Sequence, residues 1–325
     1  MHRRQYLGSG AAIGVAALAG CLDALSNDDG DGTDAAVADR TGERELDRAV
    51  GQLNDAALAL DVGEAEDPDA VEFDPSEPTE HVETARQHLE TAEAELENRD
   101  DDVDALRRYA DVLEALIEVT ATVADDTLED DIDAVTEALS EDDTDVEEAR
   151  DVLDERTADL DAADGRLEDA MAELEALDAV RLEALSIVDL EEVEAGATTL
   201  AEVLGSLRTL ADGYESIVDG VEHLERGRDE ADDMNHGPAE DAFREAEPAF
   251  AAATGTLSGD GGKDDAPAGI VPHFETALCQ SRNFETAAAR FAAASAAASD
   301  GDLSEASDYR DEAEDALEDA DACTE

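Results

Sequence analysis

Apolar residues recur along most of the chain at alternating steps of four and three, which places them on one face of a helix. Leu46, Val50, Leu53, Ala57 and Leu60 follow this rule, as do Val82, Ala85, Leu89, Ala92 and Leu96. A third run comprises Val103, Leu106, Ala110, Leu113, Ile117, Thr120 and Ala124. Val112, Leu116, Val119 and Val123 widen its stripe, which predicts contact with more than one neighbour. Residues 145–177 carry a ladder in sevens, Val146, Leu153, Leu160, Leu167 and Leu174, beside a small-residue seam of Ala149, Ala163 and Ala170 that Arg156 interrupts. The longest run passes through Val193, Ala197, Leu200, Leu204, Leu207, Ala211, Tyr214, Val218 and Val221, with Val203, Leu210, Ile217 and Leu224 as a further seam. Sustained sevens predict long rods in left-handed antiparallel packing.

Turn chemistry interrupts the pattern at residues 67–78, 98–102, 140–144, 235–238, 258–267 and 299–302. No segment alternates apolar and polar residues as a strand does, and only residues 268–271 tempt such a reading. The expected fold class is all-α: an elongated antiparallel helical bundle of about eight or nine long, heptad-patterned helices with no sheet. An N-terminal bundle over residues 41–177 meets a C-terminal helical region over 178–325 at an irregular junction, residues 178–189. The two are either separate bundles or one continuous one.

Composition changes the picture in two ways. Of 325 residues, 91 are acidic and 21 basic, a net charge of −70, and Lys263 is the single lysine. A surface this acidic repels phosphate backbones and anionic lipid, so nucleic-acid binding is excluded. Such a charge also pushes the compact state apart in dilute buffer, whereas molar salt shortens the Debye length to about 3 Å. Sparse lysine, abundant Asp and Glu and an alanine-heavy core make the chain resemble proteins of extremely halophilic archaea. A disordered acidic chain would have no need of apolar residues in register over many helical turns.

The first residues are patterned differently. Arg3 and Arg4 precede a short, weakly apolar run over residues 7–19, closed by Leu18, Ala19, Gly20 and Cys21. Thirteen mostly small residues are too few to span a hydrocarbon core that needs about 20. The arginine pair resembles a twin-arginine export signal, and the ending at Cys21 resembles the lipobox of lipoproteins. This resemblance implies that residues 1–20 are a signal peptide, that Cys21 carries a lipid after cleavage, and that the lipid anchors the protein to the outer face of the cytoplasmic membrane. Residues 21–40, rich in Asp, Gly and Ala, are then expected to be a flexible acidic tether.

Candidate chemistry is sparse. Cys279 and Cys323 each stand 22 residues from Gly301, so a hairpin folded there brings them level. An exported protein could bridge them, and two free thiols are the alternative. Cys279 is off the seam of Phe284, Phe291 and Ala298 unless the helix breaks at residues 281–283. Asn283, Phe284, Ala287, Phe291 and Ala294, echoed by Ala239, Phe243 and Ala246, resemble the second helix of tetratricopeptide repeats, though without a fixed repeat length. Asn27, Asp29, Asp31 and Gly32 begin like a calcium loop, but Ala38 stands where a bidentate glutamate belongs. His81 and His88 share a helix face without convergent ligands, and no Glu-x-x-His pair, His-Glu-x-x-His run, phosphate-binding glycine loop or nucleophile elbow is present. Arg156 either pairs with a facing carboxylate or lies along the surface.

No metal and no cofactor is therefore expected, and no catalytic residue. The expectation is a non-enzymatic, lipid-anchored scaffold, spacer or partner-binding module, contacting the membrane through Cys21 and a protein partner through its helices. The alternative is a helical solute-binding lipoprotein of a transporter.

Overall fold

A computed structural model describes residues 33–60, 73–96, 98–124, 127–140, 146–187, 190–259, 261–264 and 266–324. Among these residues the regular structure is wholly helical, with no strand: α1 (Thr33–Leu60), α2 (Ser76–Glu95), α3 (Asp100–Val123), α4 (Thr127–Ser140), α5 (Val146–Glu175), α6 (Ala179–Ala184), α7 (Leu190–Asp232), α8 (His236–Leu257), α9 (Val271–Asp300) and α10 (Leu303–Asp321), closed by a 3₁₀ turn, Ala322–Thr324. The fold is an all-α helical bundle. Its longest helix, α7, has 43 residues and is about 65 Å long, more than the roughly 50 Å across a compact globule of this length.

The helices start where acidic residues favour a start. Asp100, Asp101 and Asp102 fill the first turn of α3, Glu147 and Glu148 that of α5, and Glu191 and Glu192 that of α7, all against the positive end of the helix dipole. Asp178 and Asp302 cap α6 and α10 by accepting from the amides of Arg181 and Glu305. The opposite ends are less well served: a basic residue in the last turn occurs only in α6, a direct cost of having so few cations. Gly301 (φ 82°) ends α9, and the Asp302 amide reaches back to the Ala297 carbonyl.

Several expectations need correction. α1 begins at Thr33, so its first turns occupy what the composition suggested was tether. Among the described residues ten α-helices form, where about eight or nine were expected. α4 is short, and α6 occupies the junction expected to be irregular. Pro78 and Pro238 lie inside the first turns of α2 and α8, where a missing N–H costs nothing, so both helices start before the proline. Residues 268–270 are turn and Val271 opens α9.

α1, α2 and α3 pack together; α5 lies between α3 and α7; α8 packs on α7, α9 on α8 and α7, and α10 on α9. One core runs from Leu46 to Ala320 without interruption, so the regions 41–177 and 178–325 share it. Much of that core is alanine, with Ala49, Ala56, Ala85, Ala92, Ala110, Ala246, Ala277 and Ala313 fully buried.

The second half is keyed by aromatic residues set against glycine. Gly213, Gly220 and Gly227 step by seven along α7, and Leu257, Phe250 and Phe243 step back by seven along α8. A Cβ on any of the three glycines would fall under 3.0 Å from its partner's side chain. On its other side Phe250 stacks on Phe284 of α9, with centroids 5.4 Å apart, and Phe243 on Phe291 at 5.1 Å. Each ring thus lies between bare helix backbone and a second ring, which fixes the antiparallel register of α7, α8 and α9.

Candidate functional site

The clearest chemical feature is at the C-terminus. α9 and α10 form an antiparallel hairpin about Gly301, and the same register brings Arg290 onto Glu312 (3.1 Å) and Cys279 onto Cys323. The two cysteines form a disulfide with Cα atoms 5.9 Å apart. The Asn283 amide lies over it, its nitrogen 3.5 Å from the Cys323 sulfur and 3.8 Å from that of Cys279. α9 runs unbroken through residues 281–283. No break is needed, because Cys279 is on the exposed side of α9, away from the buried seam of Phe284 and Phe291. Closing a 44-residue separation stabilises by roughly 4 kcal/mol in the chain-entropy account.

A second feature is the distribution of the few cations. Arg86 of α2 reaches Asp111 (2.6 Å) and Glu114 (2.7 Å) on α3, and Arg107 of α3 returns to Glu93 of α2 (2.6 Å). Arg166 of α5 meets Glu118 of α3 (3.1 Å), while Arg108 of α3 meets Glu173 of α5. Arg150 of α5 spans Asp219 and Glu222 on α7, and Arg208 of α7 spans Asp161 and Asp164 on α5. Arg226 bonds Glu245 across α7 and α8. Each of these interfaces is thus clasped by a guanidinium that bonds one or two carboxylates. The hydrogen bond from Arg86 holds the Glu114 carboxyl below its ordinary range, and Arg107 does the same for Glu93.

Arg156 is 9% exposed and its Nε donates to Asp131 of α4 at 2.8 Å, which makes it the paired alternative. Glu215 of α7 moves the other way. Burial, with Asp212 nearby, raises its carboxyl above the ordinary range despite a hydrogen bond donated by Thr157.

Nothing resembling a catalytic constellation accompanies these pairs among the described residues. His81 and His88 both face α1 but are partnered separately, His81 Nδ1 with Gln52 (2.9 Å) and His88 Nδ1 with Glu45 (2.7 Å). No group of three or more His, Cys, Asp or Glu among the described residues could hold a metal ion. An open cleft of about 430 Å³ lies between the C-terminal end of α1 and the start of α2, lined by Asp55, Leu58, Phe73, Asp74, Glu77 and His81. The Gln280 amide is fully buried without a hydrogen-bond partner, and so is the Tyr109 hydroxyl, whose pKa burial raises.

No protein family, curated protein or solved structure matches the chain. Arg3, Arg4 and Cys21 lie outside the described residues, as do the calcium-like run at residues 27–32 and Ala38's side chain. No helix among the described residues is long and apolar enough to cross a membrane. The tetratricopeptide-like aromatics are the stacked rings of α8 and α9; helices α7 to α10 differ in length at 43, 22, 30 and 19 residues. The glycine ladder of α7 was not read from the sequence, although glycines in sevens opposite Phe243, Phe250 and Leu257 in sevens were visible there.

Proposed function

We propose that this is a non-enzymatic, lipid-anchored extracytoplasmic protein of a halophilic archaeon, a rod-like scaffold, spacer or partner-binding module. Arg3 and Arg4 direct export of the folded chain, and a lipid on Cys21 holds it at the outer face of the cytoplasmic membrane. The observation that carries this reading is the Cys279–Cys323 disulfide, because such bonds persist in oxidising compartments and are rare in reducing ones. The 43-residue helix supports a spacing role, since it gives the body length. The net charge of −70 supports a saline setting.

The test uses the full chain in a haloarchaeal host. Wild type is expected in the membrane fraction, processed and lipid-labelled. Cys21→Ser is expected to lose the label, and the pair Arg3→Lys with Arg4→Lys to accumulate as precursor inside the cell. Membrane association that survives Cys21→Ser, or export that ignores the arginine pair, overturns the reading. Cross-linking on intact cells in molar salt then identifies the partner. A ligand-induced thermal shift with small solutes would favour the transporter alternative instead.

A further inference from the structure

α4 stands apart from the other helices in what holds it. Its fourteen residues, TLEDDIDAVTEALS, contain five carboxylates and no cation. It docks chiefly on α5, whereas α5 itself lies between α3 and α7. Ile132, Val135 and Leu139 form its buried stripe, and beneath Ile132 and Val135 an apolar gap of about 30 Å³ remains against Leu153, Leu160, Leu207, Leu210 and Tyr214. Its face is therefore incompletely filled, so dispersion contacts are forfeited there. The guanidinium of Arg156 on α5 reaches back to it through Asp131. The exposed side of the adjoining α5 carries Asp151, Asp154, Glu155 and Asp159.

We infer that α4 is a salt-controlled cover over the apolar groove between α5 and α7, docked in brine and released as salinity falls, before the remaining bundle opens. The physical reason is the balance of two terms. Repulsion between an all-acidic helix and an acidic neighbour reaches only about 3 Å in molar salt and about 10 Å at 0.1 M. Among the described side chains, the attraction opposing it comes from Ile132, Val135 and Leu139, with Ala138 beside them, and from the Arg156–Asp131 pair. α3, α7 and α9 are held by wider seams and by Tyr109, Phe243, Phe250 and Phe274, and α3 and α7 also by clasps in both directions with α5. Release uncovers Leu153, Leu160, Leu207, Leu210 and Tyr214 as one strip, so the dilution of the medium becomes an apolar surface. This goes beyond the anchoring reading and does not depend on it.

Hydrogen exchange with mass spectrometry on the full chain tests the cover over a KCl series from about 4 M to about 0.5 M. Protection of residues 127–140 is expected to fall about tenfold at salt concentrations where α3 and α7 keep theirs. Asp131→Asn should move that loss to higher salt. The triple change Glu129→Gln, Asp130→Asn and Asp133→Asn, which keeps Arg156 and Asp131, should move it to lower salt. Simultaneous loss in all helices overturns the cover while leaving the salt dependence of the whole fold intact. A triple variant that tracks wild type overturns it as well.

Discussion

The glycine–aromatic ladder makes one substitution change sign along a single helix. Gly205 and Gly220 both lie inside α7; an added methyl at Gly205 meets nothing within 4 Å, and at Gly220 it meets the Phe250 ring under 3.0 Å. Replacing a helix-interior glycine by alanine stabilises by about 0.5–1 kcal/mol where the site is open. At Gly205 that is the whole effect. At Gly220 the ring has nowhere to go, being fully buried and stacked on Phe284. Overpacking costs about 1–3 kcal/mol, so Gly220→Ala should destabilise by roughly 1–2 kcal/mol after the propensity gain is subtracted. Urea unfolding followed by far-UV circular dichroism at constant molar KCl measures both, since urea leaves the ionic strength unchanged. Adding Phe250→Leu to Gly220→Ala should cost less than the sum of the separate changes, because the smaller side chain makes room for the methyl. A Gly220→Ala variant stabilised as much as Gly205→Ala would refute the close fit of the Phe250 ring against α7.

Three further outcomes are expected. Replacing Cys279 and Cys323 by serine should lower stability by roughly 4 kcal/mol, and residues 303–324 should be the first to lose exchange protection, as read by urea unfolding and mass spectrometry. Far-UV helical signal should decline as KCl is lowered below roughly molar, where the Debye length grows past the spacing of surface carboxylates; full helicity in dilute buffer would contradict the screening account. Glu215→Gln should raise the melting temperature at neutral pH. Burial raises the folded-state pKa of Glu215, so its charged form costs stability above that pKa, and the cost disappears once pH falls below the ordinary glutamate value near 4.3. The gain from Glu215→Gln should fade over that same acid range, and a gain independent of pH would refute the assignment.

The helices were legible because their signal is periodic and local. Val146, Leu153, Leu160, Leu167 and Leu174 all point into the structure, and every one but Val146 is buried. The disulfide was legible for a related reason: a hairpin with a glycine stop makes sequence distance a measure of height. Its side of the helix was not, because the seam through Phe284 says where the core is and nothing about what an exposed cysteine can reach. α6 escaped notice because six residues carry less than two helical turns of pattern. The clasps were hidden by abundance: with 91 acidic residues no sequence rule selects Glu114 for Arg86, and only the crossing of α2 and α3 does so. The glycine ladder depends on two helices at once, so neither stripe alone announces it.

Scarcity explains why the cations are almost all arginine. Twenty-one basic residues cannot neutralise 91 acidic ones, so each is most useful where two helices bring carboxylates together. A planar guanidinium bonds two carboxylates at once, as Arg86, Arg150 and Arg208 do, whereas an ammonium acts as a point charge. These pairs are half-exposed, and exposed ion pairs contribute at most about 1 kcal/mol each, less in strong salt. They therefore set register and relieve repulsion locally; they do not hold the bundle closed. That task falls to buried alanine, leucine and the stacked phenylalanines, while the solvent's own ions screen the charge that remains. The protein should accordingly tolerate loss of any single clasp far better than loss of its brine, and α4, with five carboxylates and no cation of its own, is where that difference should first be felt.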